Sequence, residues 1–163
     1  MITITAAVVT LGCRLNQADS ALLSDRLAKA GFTLVEEDGE DSPNLIVVNS
    51  CTVTASAARK TRQALASLRR KHPYAYIVLT GCAAETDAEE AADTSDYDVL
   101  MTNADKGNLE NILERRFNIS PKKGLHNQLS KDKKTFTEGS LSIFPFKTRA
   151  NLKIQEGCEN FCT

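Results

Sequence analysis

The sequence predicts an α/β fold, in which helices cover both faces of an open parallel sheet. Two runs, LIVVN at residues 45–49 and YIVLT at residues 76–80, are apolar enough for strands that are buried on both faces. Stretches with apolar residues at helical spacing separate the strand-like runs, and strands that alternate with helices form parallel sheets. Apolar residues make up 42% of the chain and charged residues 25%, which is typical of a globular protein.

Each predicted element follows from a local pattern of apolar residues and from the residues that end it. The predicted strands cover residues 4–11, 32–35, 45–49, 76–80 and 97–101. The predicted helices cover residues 16–30, 54–71, 84–92 and 108–116. Gly31 ends the first helix as a C-terminal cap, and Pro73 lies just beyond the second. Right-handed crossovers between these strands give a flavodoxin-like or Rossmann-like domain over residues 1–117.

Three of the five cysteines follow predicted strands directly. The strands end as TLGC, VVNSC and VLTGC, which places Cys13, Cys51 and Cys82 at the carboxyl edge of the sheet. Open α/β sheets bind their ligands at this edge. Gly12 and Gly81 suit tight turns beside the sulfurs, where a side chain would crowd a bound group. The sequence therefore predicts that the three thiols share one site.

Two other interpretations of these cysteines are possible from the residues alone. A single free cysteine at a strand end is usually a small buried hydrophobe, but three at equivalent positions favour a shared site. A cysteine phosphatase needs an arginine six residues after its cysteine, and Asp19, Ala57 and Ala88 occupy those positions. The phosphatase class is therefore excluded. The odd number of cysteines also argues against a disulfide framework.

The donor set limits which metal the site could hold. Three soft thiolates suit an iron–sulfur cluster, zinc or copper(I). Structural zinc normally has four protein ligands, often in close CxxC pairs, and residues 1–117 contain no such pair. We expect His72, at a predicted helix end, and His126, in a polar stretch, to be solvated. Three thiolates on a four-iron cluster leave one iron open to a further ligand.

The chain changes character after residue 117. Residues 118–147 lose the apolar periodicity and predict a linker. Residues 115–153 contain ten basic residues against two acidic ones, so a phosphate-binding segment and a solvated linker are equally good interpretations. The predicted helix 54–71 is also basic, and a solvated face is favoured there over an RNA-facing one. Its basic residues are Arg59, Lys60, Arg62, Arg69, Arg70 and Lys71.

A second cysteine pair lies near the end of the chain. Residues 149–155 predict a new strand, and Cys158 and Cys162 follow it in the segment GCENFCT. This segment resembles the opening of the radical-SAM signature CxxxCxxC. The third cysteine of that signature would fall beyond Thr163. We therefore expect an N-terminal piece of a longer protein, in which residues 148–163 form the first strand of a truncated radical-SAM barrel.

The motifs LGCRLNQ, NSCTVT and TGC precede this segment in order. Together the four motifs resemble the radical-SAM methylthiotransferase family, which includes MiaB, RimO and MtaB, over nearly the whole chain. The residues of LGCRLNQ are most similar to the branch that acts on N6-threonylcarbamoyladenosine next to the anticodon of tRNA. Another branch, acting on isopentenyladenosine tRNA or on a ribosomal protein, is the alternative, and a non-catalytic α/β redox or interaction domain is a further one.

The resemblance implies two iron–sulfur clusters. Cys13, Cys51 and Cys82 would hold an auxiliary [4Fe-4S] cluster that binds or delivers sulfur. Cys158 and Cys162 would be two of three ligands of a [4Fe-4S] cluster that binds S-adenosylmethionine. The reaction would insert sulfur and a methyl group at C2 of the modified adenine. The implied partners are tRNA, S-adenosylmethionine and an external electron donor.

The remaining expectations concern supporting residues and the setting of the protein. Asn16 and Asn49 match motif positions, and we expect them to order the turns around the auxiliary cluster; simple helix capping is the alternative. The first residues lack the pattern of a signal peptide, and no run of apolar residues is long enough for a membrane span. We therefore expect a cytoplasmic monomer without membrane contact, which is inactive without the rest of the enzyme.

Overall fold

The computed structural model describes six ranges of the chain, in which it forms five strands and four helices. The described residues are 4–39, 42–51, 54–86, 95–102, 105–106 and 109–117. The strands are β1 (Thr5–Thr10), β2 (Thr33–Leu34), β3 (Leu45–Ser50), β4 (Tyr76–Gly81) and β5 (Val99–Leu100). The helices are α1 (Arg14–Lys29), α2 (Ala55–Lys71), α3 (Cys82–Thr86) and α4 (Leu109–Phe117).

All five strands are parallel and form one sheet in the order β2-β1-β3-β4-β5. This is the flavodoxin-like order, so the predicted α/β fold class is confirmed. The connection from β1 runs outward to β2, and the chain then returns to the other side of β1 with β3. The strand order therefore reverses between β1 and β3, which is the switch point where open α/β sheets bind ligands.

The two faces of the sheet carry separate apolar cores, because successive side chains of a strand point to opposite faces. On one face Leu45 and Val47 of β3 pack with Leu23 and Leu27 of α1, and α4 joins the same core. On the other face Ile46 and Val48 pack with α2. Helices thus cover both faces, as predicted. No helix among the described ranges is long and apolar enough to cross a membrane.

The predicted elements are found with shifts of a few residues at their ends. Helix α3 overlaps the first residues of the helix predicted over 84–92, and the rest of that prediction, at residues 87–92, lies outside the described ranges. Helix α1 begins at Arg14, earlier than predicted, so that Cys13 is its N-cap residue. Leu15, an apolar residue in the first turn of this helix, is 40% exposed. The polar Asn16 is buried instead, because its amide bonds to backbone carbonyls at the sheet edge.

The expectation that His72 is solvated was wrong. Its side chain is only 3% exposed at the end of α2. One ring nitrogen lies 2.8 Å from Ser42 Oγ, and the other lies 3.2 Å from the carbonyl oxygen of Glu37. Both partners come from the segment that leads into β3, which packs over the end of α2. His72 is therefore a satisfied buried side chain at the amino edge of the sheet, far along the strands from the cysteines. His126 lies outside the described residues.

Candidate functional site at the carboxyl edge of the sheet

Three adjacent strands place Cys13, Cys51 and Cys82 at the same edge of the sheet. Strand β3 pairs with β1 on one side and β4 on the other, with Asn49 opposite both Thr10 and Thr80. Cys51 directly follows β3, Cys82 directly follows β4, and Cys13 lies three residues beyond β1. No disulfide joins the three residues. Cys51 is buried, Cys82 is partly buried and Cys13 is exposed.

Gly12 allows the turn after β1 to lie directly against Cys51. Its φ of +112° belongs to the region that side chains disfavour. A Cβ atom at Gly12 would lie 2.5 Å from Cys51 Cβ and 3.1 Å from Cys51 Sγ. Gly81 has a φ of +91°, and a Cβ there would lie 2.4 Å from the carbonyl oxygen of Ser50. Both glycines are thus required by close contact between neighbouring strand ends within the protein.

Asn16 joins the turns that carry the first two cysteines. Its Nδ2 atom donates hydrogen bonds of 2.8 Å to the carbonyl oxygens of both Leu11 and Ser50. Leu11 lies two residues before Cys13, and Ser50 immediately precedes Cys51. Its Oδ1 atom lies 3.7 Å from Cys13 Sγ, at the range of a hydrogen bond from the thiol. Asn16 therefore fixes the spacing of the two turns and orients one sulfur.

Asn49 joins β3 to the first turns of α1. Its Nδ2 atom donates to the carbonyl oxygen of Asn16 at 2.9 Å and to Ser20 Oγ at 3.1 Å. The side chain is fully buried, and its Oδ1 atom has no hydrogen-bond partner among the described residues. Thr80, opposite Asn49 on β4, has a buried Oγ1 atom that likewise lacks a described partner. These contacts are not those of an N-terminal helix cap, which Cys13 occupies without a side-chain bond.

Two further residues support the cysteine turns and were not predicted from the sequence. Ser50 Oγ donates to the carbonyl oxygen of Thr80 at 2.6 Å and accepts from the backbone N–H of Ala83 at 3.2 Å. It thereby ties β3 to the start of α3, next to Cys82. Thr61 is buried on α2, and its Oγ1 donates to the carbonyl oxygen of Cys51 at 3.2 Å. The position of Ser50 directly before Cys51 was the only sequence signal for either.

The arrangement fits a cluster better than a single metal ion. Within the described ranges no group of three or more histidine, cysteine, aspartate or glutamate side chains is placed to hold one metal ion. A four-iron cluster makes a different demand, since each thiolate binds a separate iron and the sulfurs need not converge on one point. The three cysteines follow neighbouring strand ends, so such a cluster is the group that this donor set could hold without a common point. The soft donor set suits iron–sulfur chemistry.

The other predicted ligands, Cys158 and Cys162, lie outside the described residues, as do the linker 118–147 and the strand predicted at 149–155. The structure therefore tests neither the second cluster nor the predicted domain boundaries. These remain predictions from the sequence.

Comparison with known proteins gives concordant matches. The profile described as "Uncharacterized protein family UPF0004" matches residues 5–102, which include all three clustered cysteines. A relative from Aquifex aeolicus, named threonylcarbamoyladenosine tRNA methylthiotransferase MtaB, is 36% identical over 96% of this chain and 38% of that protein. A Bacillus subtilis relative of the same name is 32% identical over 98% of this chain and 35% of that protein.

A relative from Rhodopirellula baltica has a different name, tRNA-2-methylthio-N(6)-dimethylallyladenosine synthase. It is 29% identical over 99% of this chain and 36% of its own length. The chain thus spans somewhat more than a third of the length of these three relatives.

Proposed function

We propose that this chain, which belongs to the UPF0004 family of methylthiotransferases, is the cluster-binding part of an enzyme acting on tRNA. The proposed reaction adds a methylthio group at C2 of N6-threonylcarbamoyladenosine beside the anticodon. The names of the relatives from Aquifex aeolicus and Bacillus subtilis support this substrate, at 36% and 32% identity. The similarity of LGCRLNQ to the same branch points the same way.

The observation that supports the proposal is that three cysteines follow adjacent strand ends at the switch-point edge of the sheet. Cys13, Cys51 and Cys82 are proposed to hold an auxiliary [4Fe-4S] cluster. Cys158 and Cys162 are proposed as ligands of a second cluster that binds S-adenosylmethionine. When bound, these groups supply the electron transfer, the radical and the sulfur that the reaction requires.

The protein's own residues are proposed to bind and orient the auxiliary cluster. The bond from Thr61 to the Cys51 carbonyl holds the central ligand, and burial keeps that thiol from water. Asn16 fixes the distance between the Cys13 and Cys51 turns. Ser50 fixes the start of the helix that carries Cys82. Such supporting bonds hold metal ligands in place, and their loss commonly weakens metal binding.

Anaerobic reconstitution with iron and sulfide tests the cluster site. In a Cys158→Ser, Cys162→Ser background, we expect about four irons per chain and visible charge-transfer absorption. Changing Cys13, Cys51 and Cys82 to serine, singly and together, should lower the iron content, and the triple variant should bind none. Equal iron in the triple variant, or no uptake by any form, would overturn the proposal. A single fast-reacting thiol without iron would instead indicate a persulfide carrier.

The substrate is tested in cells whose own enzyme is replaced by a full-length protein containing this domain. Nucleoside mass spectrometry of their tRNA should show the methylthio derivative of threonylcarbamoyladenosine. A Cys51→Ser variant should leave the unmodified precursor. If the methylthio group appears on dimethylallyladenosine instead, the enzyme belongs to the other tRNA branch.

A further inference from the structure

We propose that the amino-terminal half of α2 binds the phosphate backbone of the RNA substrate, an inference that rests on the proposed function. The surface concerned consists of Arg59, Lys60 and Arg62, which we call the α2 basic patch. All three residues are exposed. Solvation was the favoured interpretation of this helix from the sequence, and the position of the patch beside the cysteine edge separates it from the other basic residues.

Helix α2 is basic throughout, with six lysine and arginine residues and no aspartate or glutamate. Residues 1–117 as a whole contain 12 basic and 17 acidic residues, which gives them a net charge of −5. Half of the basic residues in this acidic region are thus on one helix. Arg59 and Arg62 are three residues apart on the same helix, where like charges repel. Their spacing therefore does not stabilise the helix.

Two of the three basic residues at the far end of α2, Arg69 and Lys71, have structural partners, and Arg70 has none among the described residues. Arg69 donates to Asp98 Oδ2 at 2.7 Å and to the carbonyl oxygen of Ala75. Lys71 lies 3.0 Å from Glu37 Oε1. By contrast, neither Arg59 nor Lys60 forms an ion pair with any residue of the described ranges. Among the described residues, Arg59 and Lys60 near the start of the helix therefore have no ionic partner, as is also true of Arg70 near its end.

The start of α2 is also the end nearest the cysteines. Thr61, which lies between Lys60 and Arg62 in sequence, is buried and donates to the carbonyl oxygen of Cys51. The exposed side chains of Lys60 and Arg62 flank this contact in sequence. An RNA whose reacting base lies at the cysteine edge would place neighbouring phosphates beside the patch. Lysine and arginine contacts to phosphates of this kind position a nucleic acid without reading its sequence.

Salt-dependent binding of RNA to the full chain tests the proposal. The probe is an anticodon stem–loop RNA with an unmodified adenosine next to the anticodon, and binding is followed by fluorescence anisotropy. We expect Arg59→Gln, Lys60→Gln to reduce the slope of log affinity against log salt by about 2, since each lost phosphate contact removes about 1. Across about 50–200 mM salt, the wild-type chain should then lose about tenfold more affinity than the variant.

The matched control is Arg70→Gln, Lys71→Gln, which removes two exposed positive charges at the other end of the same helix. It should keep the wild-type slope. An unchanged slope in the Arg59, Lys60 variant, an equal effect of the control, or no RNA binding by the wild-type chain would overturn the proposal. Lower unfolding stability with an unchanged slope would also overturn it, and would indicate that Arg59 and Lys60 have a structural role instead. Iron content, measured separately, reports whether the proposed function itself fails.

Discussion

At the scale of the single residue, Asn16 shows how one amide group can join two strand ends of the candidate site. Its two N–H groups satisfy carbonyl oxygens of two different strand ends, at Leu11 and Ser50. A buried carbonyl that loses its donor retains the full cost of desolvation. The side chain is therefore needed as a donor, and its size alone is not sufficient.

Replacing Asn16 by aspartate should destabilise the domain although the two side chains have the same shape. The carboxylate cannot donate, and it places an acceptor oxygen, in the position of Nδ2, against the carbonyl oxygens of Leu11 and Ser50. We expect a loss of at least about 2 kcal/mol in the free energy of unfolding, measured by urea denaturation of the metal-free chain. Iron uptake should fall in parallel.

Asn44 provides the matched control at the opposite edge of the sheet. Its Oδ1 atom accepts from the backbone N–H of Thr5 at 2.9 Å and from the hydroxyl at 3.1 Å. Aspartate keeps these acceptors, so Asn44→Asp should change stability by less than about 0.5 kcal/mol. Equal losses in the two variants would mean that negative charge, and not the missing donor, destabilises the Asn16 variant.

At the scale of the element, α3 depends on a strand other than the one it follows. This short helix begins at Cys82, and the N–H of Ala83 donates to Ser50 Oγ on β3. One turn of helix is not stable alone, because nucleation is unfavourable. The orientation of Cys82 therefore depends on the pairing of β3 with β4 and on one serine hydroxyl.

Ser50→Ala should loosen the start of α3 more than it changes the rest of the sheet. The variant loses two hydrogen bonds, with an expected cost of about 1–2 kcal/mol. Hydrogen exchange should accelerate at residues 82–86 while the centre of β3 stays protected. Thr80→Val is the control on the paired strand, because Thr80 Oγ1 has no described partner. It should leave stability unchanged or raise it by up to about 1 kcal/mol; a loss similar to that of Ser50→Ala would contradict this account.

The elements were predictable to a much greater extent than the contacts that support the site. Apolar runs ending in Cys51 and Cys82 identified strands that are buried on both faces, and the sheet edge followed from that. The roles of Ser50 and Thr61 depend on carbonyl groups of other elements, at Thr80 and Cys51, which no local pattern reveals. The burial of His72 likewise depends on a segment some 30 residues away in sequence that packs over the end of α2.

At the scale of the whole molecule, the two edges of the sheet have different chemistry. The cysteines lie at the carboxyl edge, whereas aromatic and ionic contacts join the elements at the amino edge. There the guanidinium of Arg116 on α4 lies 5.2 Å from the ring centre of Tyr76, and Phe117 packs edge-on against the same ring. These contacts anchor the last described helix to the start of β4.

The phenol of Tyr76 makes the stability of the domain sensitive to alkaline pH. Burial raises the pKa of Tyr76 above its ordinary value of 10.0, the Asp98 carboxylate adds to the increase, and Arg116 opposes it. A folded-state pKa above the unfolded one gives stability that is complete below about pH 10. That stability is lost as the pH rises through the folded-state pKa, because the unfolded chain releases the proton first.

Tyr76→Phe should remove this part of the alkaline destabilisation. Urea midpoints measured at about pH 8 and about pH 11 should differ less in the variant than in the wild-type chain. Tyr74→Phe makes the same chemical change on a residue that is 97% exposed, and it should keep the wild-type difference. The explanation fails if Tyr74→Phe reduces the difference as much as Tyr76→Phe does.

The strand order also has a consequence for the moment at which the site can be assembled. The three thiols are separated by 38 and 31 residues in the chain and meet only through the pairing of β1 with β3 and of β3 with β4. During synthesis on the ribosome, Cys13 and Cys51 emerge first and remain a two-thiol pair until β4 has been translated. Because α3 begins at Cys82, the last of the proposed ligands is positioned only when that strand has docked. If the proposed cluster site is correct, iron delivered to the nascent chain before that point would meet only two of its three thiols, so the proposal requires cluster assembly to follow folding of this sheet.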